Sequence, residues 1–159
     1  MNHSRKTGFH FGLTSGVITT MGLMVGLDSS THSKAVVISG ILIIAITDAL
    51  SDAMGIHMSE ESEAKHSEKE IWEATITTFL SKFIFALTFL VPVLIFQLST
   101  AMIIGVAWGL LVITVSSYRM AKQDGKKIMH RVIFEHLLVA IIVVILTYYI
   151  GGWIRGIVR

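Results

Sequence analysis

The chain has 159 residues, 53% of them hydrophobic and 15% charged, with one Pro and no Cys. Soluble domains carry about 25% charge, and here the apolar excess is gathered in long runs, which argues against a soluble globular enzyme. The lack of Cys removes disulfides, thiolate catalysis and cysteine-based metal sites. An isoelectric point near 9.0 does not point to nucleic acid, because Lys and Arg sit in short segments between the apolar runs, as membrane topology requires.

A membrane span needs roughly 20 mostly apolar residues. Five stretches qualify, at about residues 9–27, 35–58, 72–96, 99–118 and 132–153. The expected fold is an all-α membrane protein, one five-helix domain over residues 1–159 with a short acidic segment at 59–71. Spans three and four are joined only by Gln97 to Thr100, so they form a tight antiparallel hairpin. Arg5 and Lys6 before the first run imitate a signal peptide. That run holds Gly12, Thr14, Ser15, Gly16, Thr19 and Thr20, and no small-x-small cleavage pattern follows it, so it is read as a span.

Charge bias sets the expected orientation. One side holds Arg5, Lys6, Lys65, Lys69, Arg119, Lys122, Lys126, Lys127 and Arg131, and the other holds Lys34, Arg155 and Arg159. The nine-to-three bias puts the N-terminus inside and the C-terminus outside. Trp72, Tyr148, Tyr149 and Trp153 fall at the expected interfaces, as an aromatic belt would. The economy of loops suggests a prokaryotic inner membrane.

Span one carries small residues at three- and four-residue steps: Gly8, Gly12, Ser15, Gly16, Thr19, Gly22 and Gly26. Small faces let helix backbones approach closely in lipid, where the hydrophobic effect gives no help. The seam suits packing within one subunit or a homodimer interface through Gly8, Gly12, Gly16, Gly22 and Gly26. Span four has a weaker version at Ala101, Gly105 and Gly109.

Span two carries Asp48 and Asp52, four residues apart and therefore on one face, continued by Ser51, Gly55 and Ser59. An Asp at mid-span costs about 2.5–3.5 kcal/mol on insertion scales, so two of them call for partners or a purpose. At about 1.5 Å per residue, Asp52 and Ser15 lie about 9 Å deep, and Asp48 and Lys82 about 15 Å deep. Lys82 is thus expected to meet Asp48, and Ser15 to meet Asp52. That leaves Asp52 as the free carboxylate of a cation or proton path that also takes in Thr19, Met21 and Met54. Thioether sulfur binds soft metals, although Met in a span is more often packing. His57, at the inner mouth of span two, is the better ligand candidate.

Span two runs on without Pro or Gly through residues 57–73. If that stretch stays helical, Glu60, Glu63, His66, Glu70 and Glu73 share a face, and carboxylates with imidazole suit Mn²⁺ and Fe²⁺. The plainer reading is a solvated helix with Glu–Lys pairs, facing the basic loop around Lys126. Glu135 and His136, at the inner start of span five, are further proton-carrier candidates.

Two stretches make the chain resemble the vacuolar iron transporter family. Residues 12–27, GLTSGVITTMGLMVGL, resemble the family's first helix, and residues 51–63, SDAMGIHMSEESE, resemble the end of its second. The resemblance implies a homodimer, a metal path between the first helices of two subunits, and export of Fe²⁺ or Mn²⁺ from the cytosol in exchange for protons. It implies no resident cofactor, the metal being the substrate. The chain departs from the family pattern: Ser15 stands where an Asp usually precedes the first-helix Gly, Asp52 where Met is common, and Ile44 where a Glu is common. Asp52 is therefore expected to take over the metal-binding carboxylate role, hardening the site toward Mn²⁺ and Fe²⁺. The plant-type acidic domain after span two is reduced here to a short segment.

Two other classes compete. A non-transporting metal sensor or assembly subunit would use the same small-residue seam. A membrane lipid enzyme would use Asp48-x-x-x-Asp52, but the upstream part of that motif is missing, and both acids lie on one helix, which does not suit an intramembrane aspartyl protease. No enzymatic activity is expected.

Overall fold

The computed structural model describes residues 3–63, 65–123 and 129–158. Lys126, Lys127 and Arg159, which enter the charge count above, lie outside them. The described residues are helical throughout apart from short turns: α1 (His3–Thr31), α2 (Lys34–Ser62), α3 (Glu68–Thr88), α4 (Leu90–Ile95), α5 (Leu98–Gln123) and α6 (Met129–Ile157). Five helices are long and apolar enough to cross a membrane, with α3 and α4 together forming the third.

The α3–α4 break has a local cause. Pro92 has no N–H, and its ring crowds the carbonyl four residues back, so a continuous helix cannot run through it. The chain tightens at Phe89, whose N–H reaches the Ala86 carbonyl at 3.2 Å, and α4 restarts with Pro92 in its first turn, where an N–H is not needed. After α4 the chain reverses through Phe96 and Gln97. The Lys34 ammonium donates to the Leu94 and Phe96 carbonyls at 3.2 and 3.1 Å, satisfying acceptors that a helix end leaves open.

α1 sits at the centre, packed against α2, α3, α5 and α6. Its glycines explain how. A Cβ at Gly8 or Gly12 would overlap the Ala74 and Thr78 carbonyl oxygens of α3, and one at Gly16 would lie 3.0 Å from the Lys82 carbonyl. Farther along, Gly22 and Gly26 face Val143 and Thr147 of α6. Five glycines cost a helix about 1 kcal/mol each in propensity, and close backbone packing on two neighbours offsets that cost. Of the two uses open to the small-residue seam, packing within the chain is present at Gly8, Gly12, Gly16, Gly22 and Gly26.

The outer surface of the bundle is apolar like its core. Thr20, Thr75, Thr78, Ser81 and Lys82 are buried, while Leu42, Ile43, Ile46, Leu50, Ile142, Ile145 and Leu146 are exposed. Thr75, Thr78 and Ser81 donate to carbonyls of their own helix, those of Ile71, Ala74 and Thr77, at 2.8–2.9 Å. An apolar shell of this size is compatible with a bilayer. Trp72, Tyr148, Tyr149 and Trp153 lie exposed near helix ends.

The acidic segment is not one continuous helix, which corrects the shared-face expectation. α2 stops at Ser62 and α3 starts at Glu68. Ser67 ends the run by capping α3: its N–H donates to Glu70 Oε2 at 2.9 Å, and its hydroxyl accepts from the Glu70 N–H at 3.4 Å. This reciprocal capping box competes with helix continuation and wins. Glu60 and Glu63 thus belong to one helix and Glu70 and Glu73 to another.

Candidate functional site

The most polar point of the bundle is built from three helices around Lys82. Gly16 on α1 lets the Lys82 stem lie against the helix backbone, since a Cβ there would come within 3.0 Å of Lys82 Cγ. On α2, Ala45, Ala49 and Ala53 are buried at four-residue spacing, a second small-residue row that lets this helix approach its neighbours. That row is readable in the sequence as Ala-x-x-x-Ala-x-x-x-Ala.

The ammonium of Lys82 lies among three side-chain oxygens. It donates to Ser15 Oγ at 2.9 Å and to Asp52 Oδ2, and it lies 2.6 Å from Asp48 Oδ2. The Asp48 contact is a Coulombic pair, since that oxygen lies off the hydrogen-bond direction. Ser15 Oγ in turn donates to Asp52 Oδ2 at 2.6 Å. The expected Lys82–Asp48 and Ser15–Asp52 contacts are both present. Asp52, however, is not free: Lys82 reaches both carboxylates because Asp48 and Asp52 are stacked one turn apart on α2.

Charge and access are both uneven. With both carboxylates ionised, the cluster holds two negative charges against one positive. The Lys82 side chain is 2% exposed, whereas Asp48 is 27% and Asp52 21% exposed. The cation is buried against α1, and the anions are partly exposed.

The other candidates lie elsewhere. Thr19 donates to the Ser15 carbonyl at 2.9 Å, one turn along α1. Met21 is fully buried in the apolar core beside Gly109, and Met54 is 53% exposed on the outer face of α2, so neither borders the carboxylates. Helical rotation explains this, because two residues turn the helix by about 200° and carry Met54 to the far side from Asp52. His57 Nδ1 lies 3.0 Å from Thr75 Oγ1, with its ring edge-on to Trp72. His66 sits 3.3 Å from Glu60, Glu73 accepts from Arg5 at 2.9 Å, Glu63 is 4.0 Å from Lys65, and Glu70 is held by Ser67. Glu135 pairs with Arg131 at 2.7 Å, and His136 with Ser117 at 2.7 Å. Glu60, Glu63, Glu70 and Glu73 are thus engaged separately. Among the described residues no group of three or more His, Asp and Glu side chains could hold a metal ion.

No family model, curated protein or solved structure matches this chain.

Proposed function

We propose that the chain is an integral membrane transporter that moves a divalent cation, Fe²⁺ or Mn²⁺, out of the cytosol in exchange for protons, with Asp48, Asp52, Lys82 and Ser15 as its exchange site. One observation carries the reading: a buried lysine holds two carboxylates of one helix, and those carboxylates are partly exposed. A structural ion pair needs one acid. A second acid leaves the site with excess negative charge, and intramembrane carboxylates of that kind mark ion pathways.

The chemistry follows from competition. An ammonium and a divalent cation seek the same oxygens. A cation arriving at the exposed side of Asp48 and Asp52 can take them only as Lys82 withdraws or gives up its proton. Occupancy by metal and by proton then become alternatives, which is the requirement for exchange. The ligands on offer are carboxylate and hydroxyl oxygens, and Met21 and Met54 lie apart from them. Hard or borderline cations fit such a set better than soft ones. The resemblance to the vacuolar iron transporters favours iron and manganese among these, and the basic end of the bundle then faces the cytosol.

A homodimer also fits. Carboxylates exposed to hydrocarbon at mid-span are costly, and a second copy packed over them would remove the cost while lining a path with four acids. The competing reading is a non-transporting sensor or assembly subunit. It is favoured by the close packing of Lys82 among Ser15, Asp48 and Asp52, which suits a lock as well as a gate.

Flux into liposomes of purified protein tests the proposal, with Mn²⁺, Fe²⁺, Co²⁺, Zn²⁺, Mg²⁺ and Ca²⁺ offered in turn and internal pH read in parallel. Saturable Mn²⁺ or Fe²⁺ movement with opposing proton movement, lost in Asp52→Asn, is the expected result. A folded protein that moves none of these ions would overturn it in favour of the sensor.

A further inference from the structure

A groove of 220 Å³ lies between α1, α3 and α5, in the half of the bundle that carries the N-terminus. It has two chemically distinct ends. Its length is apolar, lined by Leu13, Phe85, Leu111 and Val115, and its far end is formed by Trp108. The Trp108 indole donates to Thr88 Oγ1 at 2.9 Å, which fixes the ring in place. At the near end stand Arg119, His10 and Ser116. Arg119 is exposed and has no acidic partner among the described residues, unlike Arg5 and Arg131, which are paired with Glu73 and Glu135.

The dimensions match one kind of ligand. From Trp108 to Arg119 along α5 is about 16 Å at about 1.5 Å per residue, close to half of a hydrocarbon core about 30 Å thick. The groove therefore runs from one membrane interface to the midplane, the depth of one leaflet. Its apolar length suits an acyl chain, and its cationic end lies where a headgroup phosphate would be. We propose that this groove binds one acyl chain of an anionic phospholipid, with the phosphate paired to Arg119. The inference rests on the bilayer reading and is independent of cation transport.

Trp108 is a built-in reporter. In the full-length protein with Trp72→Phe and Trp153→Phe, it is the remaining tryptophan. The protein is reconstituted in vesicles of phosphatidylcholine mixed with either dibrominated phosphatidylglycerol or dibrominated phosphatidylcholine, and Trp108 quenching is titrated. The expected result is quenching by both lipids with about a tenfold preference for the anionic one, the worth of one charge-assisted contact. Arg119→Gln should abolish the preference, while Lys122→Gln, one turn farther on and outside the groove, should keep it. Equal quenching by the two lipids, no quenching by either, or equal loss of preference in both variants would overturn the proposal. The last outcome would assign the effect to the general surface charge.

Discussion

Gly16 of α1 and Lys82 of α3 are in backbone contact, and their separation leaves no room for a side chain at residue 16: a Cβ there would lie 3.0 Å from both the Lys82 Cγ and its carbonyl oxygen. This contact sets where the ammonium stands. Ser15, the preceding residue, then meets that ammonium at 2.9 Å.

Gly16→Ala is therefore expected to lower stability by about 1–3 kcal/mol, as over-packing does, despite the better helix propensity of Ala. Gly55→Ala is the control, since nothing lies within 4 Å of a Cβ there. It should raise stability by about 0.5–1 kcal/mol. Unfolding of the detergent-purified variants compares the two, and a stabilised Gly16→Ala would remove the close-contact argument.

Lys82→Met leaves two carboxylates without their cation. The expected loss is about 3–5 kcal/mol, the usual consequence of removing one member of a buried ion pair. Adding Asp48→Asn and Asp52→Asn should restore much of the stability, because the uncompensated charge is gone. The triple variant should still move no cation. Normal flux from that stable triple variant would take transport away from this cluster.

Ser67→Ala removes the cap that ends the acidic turn, at an expected cost of about 1 kcal/mol. Because Glu60, Glu63, Glu70 and Glu73 have separate partners, Glu70→Gln should leave the metal concentration for half-maximal flux unchanged. A clear rise in that concentration would restore the acidic segment as a metal-gathering surface.

Met54→Leu should change neither the rate of transport nor the order of cation preference, since its side chain points outward from α2. Met21→Leu should cost less than about 1.5 kcal/mol through core packing and also leave cation preference intact. A shift toward hard cations in either variant, measured by competition between Mn²⁺ and Zn²⁺, would bring a thioether back into the path.

Several features were legible in the chain itself. Five long apolar runs, the shared face of Asp48 and Asp52, and the depth match of Lys82 with Asp48 all follow from helix geometry, which is local and periodic. The break at residues 63–67 was also written locally, as Ser67-x-x-Glu70, but the lack of Pro and Gly hid it. Capping chemistry ends helices as surely as those residues do.

What no periodicity could reveal is which surface each face would meet. The glycine row of span one announced close packing without naming its partner. The fold places α3 against one half of the row and α6 against the other, so the row is consumed inside the chain. The same holds for Lys82. Its depth was readable, but its reach to both aspartates and to Ser15 depends on three helices converging, and that convergence is set by small residues spread from Ser15 to Lys82. Length, spans and facing acids are properties of a stretch of chain. The joining of one ammonium to two carboxylates is a property of the packed bundle, because contacts between helices depend on how all their faces fit at once.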